Sequence, residues 1–134
     1  MRTTAKFARS PDSPTKARRF VAEVLAHCPP PVRERASLLV SELATNAVQH
    51  AQSNFSVSID ETADAIRVEV RDGGGGIPVV GTPTLKDVSG RGLLIVKTMS
   101  DDFGIEMDQK DKSVWFTLAN APEDGWLQPG EAAD

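Results

Sequence analysis

The stretch SELATNAVQH, residues 41–50, sets an acid, an amide and an imidazole into an otherwise apolar helical run. Glu42, Asn46 and His50 stand four residues apart. A helix turns 100° per residue, so each four-residue step drifts by about 40° and rises by about 6 Å. With Ala36 at 0°, Leu39, Val40, Leu43, Ala47 and Ala51 fall between about -60° and +60° by that arithmetic, and Glu42, Asn46 and His50 at about -120°, -80° and -40°. The three polar groups therefore form a slanting stripe on the shoulder of the buried face. Each alone reads as a boundary residue or an i, i+4 partner. Together, on a wall between helix and sheet, they offer a carboxylate that can act as a base, an amide oxygen that can bind Mg²⁺ and an imidazole that can touch phosphate.

This helix is predicted from about Val32 to about Ala51. Before it, SPTKARRFVAEVLAHC (13–28) opens on a Ser-Pro start signal, spaces Ala17, Phe20, Val21, Val24 and Leu25 as one helical face, and is stopped by PPP. After it, NFSVSID (54–60) and AIRVEVRD (65–72) alternate, with Phe55, Val57 and Ile59 on one face of the first and Ile66, Val68 and Val70 on one face of the second. Flanking ETADA, they read as an antiparallel hairpin. GGGGIPVVGTPTLKDVSGRG (73–92) is a loop by composition, LLIVKTMS (93–100) a short helix, and FGIEMD (103–108) and SVWFTLA (113–119) two closing strands around QKDK. Strands in hairpins with no crossover helices between them predict an α+β fold. Its architecture is a two-layer sandwich of helices on a mixed, mostly antiparallel sheet.

The whole chain sets outer bounds. Its 134 residues suffice for one domain with a real core, and 40% hydrophobic with 25% charged residues fits a globular protein. A net charge of -4 argues against non-specific binding to nucleic acid or to an anionic membrane. Cys28 is the only cysteine, so no intramolecular disulfide can form and no zinc cluster is available, and packing is its expected role. No run of apolar residues approaches membrane-spanning length, and MRTTAKFARS lacks the apolar core of a signal peptide, so a cytoplasmic location is expected. Residues 1–120 read as a single domain, and 121–134 (APEDGWLQPGEAAD) as an acidic, loose tail.

Two glycine-rich stretches add chemistry. In RDGGGGIP (71–78), Asp72 ends an alternating run and glycines follow, which permit close backbone approach to a ligand beside a carboxylate able to accept a hydrogen bond from an exocyclic amine such as adenine N6. The plain alternative is a flexible turn with Asp as turn former. In SGRGLLIVKTM (89–99), Gly90 and Gly92 open a helix whose first amides can bind an anion, with Arg91 between them. Neither the GxxxxGK[ST] phosphate loop nor a GxGxxG in a βαβ unit is present.

Taken in order, ExxxN on a helix, a strand ending in DxGxG, and GxG opening a helix resemble the GHKL ATPase superfamily with its Bergerat fold. The likeness is greatest to the histidine-kinase-like ATPase domains of stand-alone anti-sigma factors, the RsbW-type serine kinases. LLVSELATNAVQHA, VRDGGGGIP, SGRGLLIV and SVWFTLA carry the resemblance, which spans roughly residues 7–119. It implies ATP and Mg²⁺ as cofactors. By position, Glu42 matches the acid that orients or deprotonates the attacking group, and Asn46 the asparagine that ligates Mg²⁺. His50 matches a polar or basic phosphate contact. Asp72 matches the adenine-reading aspartate, with Gly74 and Gly76 as its glycines. Gly90 and Gly92, with Arg91 between them, match the second glycine box, and Thr117 matches a threonine supporting the adenine side.

The resemblance implies serine/threonine kinase activity toward an anti-sigma-factor antagonist, with a sigma factor as a further partner, and it is compatible with a homodimer. There are departures. Only 13 residues, 77–89, separate Gly76 from Gly90, and Val88 and Ser89 stand where some of these kinases carry an arginine, with Lys86 and Arg91 the nearest cations. About 30 residues precede the Glu42 helix, too few for a phosphoacceptor hairpin, so a sensor histidine kinase is not expected. A nucleotide-responsive binding module without useful kinase activity and a small ATPase are the alternatives.

Overall fold

In a computed structural model of the chain, residues 1–50, 53–73, 90–107 and 111–120 are described. The tail 121–134 and the glycine-rich stretch 74–89, with Gly74 and Gly76, lie outside the described residues, as do the side chains of His50 and Arg91. The elements run β1 (Arg2–Phe7), α1 (Ser13–Val24), α2 (Pro30–His50), β2 (Phe55–Glu61), β3 (Ala65–Asp72), α3 (Gly90–Met99), β4 (Asp102–Met107) and β5 (Lys112–Ala119). The strands form one sheet in the order β1-β2-β3-β5-β4. All four pairings are antiparallel, so among the described strands the sheet has none of the mixed character expected.

Alternation decides the faces. Phe55, Val57 and Ile59 of β2, Ile66, Val68 and Val70 of β3, and Val114, Phe116 and Leu118 of β5 are buried and register against one another on one side. The helices cover that side. From α1 come Ala17 and Val21, from α2 come Val32, Ala36, Leu39, Val40, Leu43, Ala44 and Ala47, and from α3 comes Val96. The buried arc of α2 is wider than the stripe predicted. Ala44 and Ser37 are also buried, because α1 packs along that second shoulder. Ser37 meets its polar need locally, donating to the Arg33 carbonyl at 2.8 Å.

The opposite face of the sheet carries a polar network instead. Arg2 reaches Asp60 at 2.5 Å and Glu69 at 3.2 Å, Ser113 donates to Glu69, and the Arg67 guanidinium lies 4.8 Å from the centre of the Trp115 ring.

β1 was not foreseen. RTTAKF offers Thr3, Ala5 and Phe7 to the core side, and two small residues in three give a faint apolar alternation. The strand forms because every residue from Arg2 to Phe7 has a partner on β2, from Arg2 opposite Asp60 to Phe7 opposite Phe55. Phe7 anchors it, stacked on Phe55 at 5.4 Å and edge-on to Phe20 at 5.9 Å. Helix α1 stops at Val24, four residues short of the predicted end. A tight turn takes one of its last carbonyls, with the Ala26 amide donating to Glu23 O at 3.3 Å, the Cys28 amide then donates to Leu25 O at 2.9 Å, and the prolines that follow cannot continue the ladder.

Candidate functional site

Three element ends meet at one edge of the molecule. Helix α2 ends at His50, and only residues 51–54 separate it from Phe55, whose partner across the sheet is Asp72. The C-terminal turns of α2 and the C-terminal end of β3 are therefore neighbours. Helix α3 joins β4 through Ser100 and Asp101, and it packs on both α2 and β4. A ten-residue helix is about 15 Å long, so its return along the sheet carries Gly90 toward the same edge.

Within this edge, Glu42 is half-buried and Asn46 is 4% exposed. That is the shoulder position expected from helical geometry. The intervening Thr45 hydroxyl is committed to the helix backbone, donating to Ser41 O at 2.8 Å. His50 closes α2.

Asp72 shares the core-facing parity of Val68 and Val70 and is 5% exposed, so its carboxylate points to the helix layer, not to solvent. Burial of a carboxylate without compensating groups is expensive, and one sits close by in the sheet. The residue directly opposite on β5 is Lys112, itself 7% exposed. Lysine is among the residues least often buried, and sequence reasoning missed this one. Its signal was parity: Lys112 is two residues before Val114 and so on the face that carries Val114, Phe116 and Leu118.

The next residue, Gly73, donates its amide to Ser53 Oγ at 2.9 Å. A Cβ at Gly73 would lie 2.3 Å from that oxygen and 3.1 Å from the Ser53 Cβ, so a side chain there collides with the segment leading into β2. A side chain at Gly73 would have to turn the Ser53 hydroxyl away and break that hydrogen bond, so the constraint at this glycine is one of local packing. An open cavity of about 630 Å³ borders Asp72 and Gly73 and is also lined by Lys6, Ser53, Asn54 and Arg71. None of these last four was singled out in the sequence. They come from the strand that was missed, a connection and an outward-facing strand position.

Thr117 does not join the group. It has the opposite parity from Val114 and Phe116, so it faces away from the helices, and it pairs with Arg67 and Asp102. It also lies five residues along β5 from Lys112, about 17 Å at a strand's rise. The expectation that Thr117 supports the adenine side is corrected on both counts, and Lys112 occupies the position facing Asp72. Gly90 and Gly92 lie in the first turn of α3, where helix amides lack intrahelical partners.

The fold agrees with comparison to known proteins. Residues 7–118 match the family model described as histidine kinase-like ATPase domain. The chain belongs to that family. As a histidine kinase-like ATPase domain it also superposes on a solved structure, that of the RsbU and RsbW domains of a Mycobacterium tuberculosis protein, with a TM-score of 0.70 at 15% identity. The superposition covers 88% of this chain and 32% of that one, and at such identity it shows a shared fold. No curated protein matches the chain in sequence. No helix among the described residues is long and apolar enough to cross a membrane.

The donor set fits the nucleotide and metal that the family implies. Asn46 supplies a buried neutral oxygen of the hard type Mg²⁺ prefers, and Mg²⁺ commonly takes few protein ligands, completing its shell with water and phosphate oxygens. Asp72 supplies a desolvated acceptor for an exocyclic amine.

Proposed function

We propose that this protein is an ATP-binding regulator of the anti-sigma-factor type, acting as a serine/threonine kinase on an anti-sigma-factor antagonist protein. The observation that carries the proposal is the joint placement of Asn46 and Asp72, both almost fully buried, at one edge of a histidine kinase-like ATPase domain. The fold likeness to an RsbW domain supports the choice of partner class.

In this proposal Asp72 accepts the adenine amine, and the loop amides from Gly74 and Gly76 and from Gly90 and Gly92 approach the nucleotide. Asn46 holds Mg²⁺, and His50 and Arg91 contact phosphate. When bound, Mg²⁺ supplies neutralisation of phosphate charge. Glu42 accepts the proton of the attacking hydroxyl, and its half-buried position leaves it reachable from outside. Residues 1–120 form the working domain, located in the cytoplasm, with a sigma factor as second partner and a homodimer as an allowed assembly.

The deciding experiment incubates the full chain with γ-labelled ATP and the candidate antagonist, then maps phosphoserine. Label on the antagonist is expected. Absence of label, with nucleotide binding intact, favours a second reading, a nucleotide-responsive binding module. Val88 and Ser89, standing where some related serine kinases carry an arginine, favour that reading.

A further inference from the structure

The end of the sheet farthest from Asp72 carries a second convergence of reactive side chains. Glu61 closes β2, about 20 Å along the strand from Phe55 at a strand's rise. His27 and Cys28 lie in the turn between α1 and α2. The His27 Nε2 atom is 2.6 Å from Glu61 Oε2, and Cys28 Sγ is 3.5 Å from the same oxygen. The three ligand atoms all lie within 4.8 Å of one another. Asn120 Nδ2 also donates to that oxygen at 3.5 Å, and to Thr62 O at 2.9 Å. The thiol is 5% exposed, whereas the imidazole side chain is 63% exposed.

We propose that His27, Cys28 and Glu61 form a binding site for a zinc-type divalent cation, with water completing the shell. A nitrogen, a sulfur and a carboxylate oxygen are the donor classes that zinc takes, at about 2.0–2.1, 2.3 and 2.0–2.2 Å. Tetrahedral bonds of that length place donors about 3.3–3.8 Å apart. Of the two measured separations, 3.5 Å lies inside that range and 2.6 Å below it, so shifts of about 1 Å seat the ion. Mg²⁺ does not suit a site of thiol and imidazole. On binding, the Cys28 thiol proton leaves to water and the sulfur takes the metal. The imidazole binds neutral through Nε2, and nothing is oxidised or reduced. The exposed imidazole side gives the ion its path in and leaves room for water. Having a single cysteine excludes a cysteine-rich zinc cluster, but this mixed set needs only one. Its effect is to staple the α1–α2 turn to the end of β2, independently of the nucleotide edge.

The test titrates the full chain with Co²⁺ and with Zn²⁺ in the absence of nucleotide. One equivalent of Co²⁺ should bind with a thiolate-to-metal charge-transfer band, Zn²⁺ should displace it, and Zn²⁺ should raise the melting temperature. Cys28→Ser should lose the band. Loss of even an outer partner commonly weakens metal sites 10–100-fold, so His27→Ala should bind at least about tenfold more weakly, and as a surface change it leaves the fold intact. His50→Ala, removing the other histidine, should bind as the parent does. Absence of the charge-transfer band, or full-affinity binding that survives both Cys28→Ser and His27→Ala, overturns the proposal.

Discussion

Lys112 stands directly opposite Asp72 across β3 and β5, both on the helix-covered face and both less than a tenth exposed. Opposed residues in an antiparallel pair place their Cβ atoms about 4.5–5.5 Å apart, so the carboxylate proposed to read adenine shares its surroundings with an ammonium. Asp72→Ala then has two effects that must be separated. It removes the acceptor for the adenine amine, and it leaves Lys112 buried without the carboxylate opposite. Loss of an opposite charge near a buried cation disfavours the charged form of that cation. The double variant Asp72→Ala/Lys112→Met should therefore melt higher than Asp72→Ala alone, while neither variant prefers Mg-ATP over Mg-GTP in a thermal-shift titration. The parent should be stabilised by Mg-ATP and Mg-ADP through mass action. No shift with millimolar adenine nucleotide would defeat the nucleotide proposal itself.

Glu42 and Asn46, one helical turn apart, should separate chemistry from binding. Glu42→Gln keeps the shape and loses the base. It should hold nucleotide affinity within a few fold and lower phosphoryl transfer by roughly 10²-fold or more, the usual scale of general base help. Asn46→Ala should weaken Mg-ATP binding directly, measured by calorimetry with and without Mg²⁺. Transfer at the parental rate by Glu42→Gln would return Glu42 to the status of a boundary residue.

The sequence showed most where periodicity was strong and least where a property belonged to two segments at once. The span of β3 was legible to the residue, because four core positions alternate without a break from Ile66 to Asp72. The shoulder placement of Asn46 followed from helical geometry alone. β1 was hidden because its side chains are small and its stability comes from pairing with β2, 48 to 58 residues away. Asp72 was singled out through its glycines, but its neighbour Lys112 depends on the register of β3 with β5, which no local pattern encodes. Thr117 went the other way. The parity of β5 was available in SVWFTLA, and counting from Phe116 places Thr117 on the outer face.

The outer face makes its own prediction at Gly104. A Cβ there would lie 2.6 Å from three atoms of the Trp115 indole, which Arg67 holds from the other side. Overpacking of this kind typically costs about 1–3 kcal/mol, so Gly104→Ala should lower the urea midpoint by that equivalent. The cost should shrink when Trp115→Val is introduced first. Trp115→Phe alone should be close to neutral, because the indole Nε1–H is buried with no hydrogen-bond partner among the described residues and its removal forfeits none.

Glu69 should give the same face a distinct response to acid. Burial pushes its carboxyl up, but the hydrogen bonds from Ser113 and Arg2 and the charges of Arg67 and Arg71 outweigh that and hold it below the ordinary glutamate value of 4.5. A carboxyl depressed in the folded state binds fewer protons there than in the unfolded chain, so stability rises with pH across the interval between the two values. The contribution is complete above the unfolded value and is lost as pH falls through the lower, folded one. Glu69→Gln removes that proton linkage. Unfolding free energies measured by urea titration at pH 6, 5, 4 and 3 should fall more steeply for the parent than for Glu69→Gln, with the difference confined to the lower part of the range. Parallel curves over the whole range would mean that the network around Glu69 does not favour its charged form.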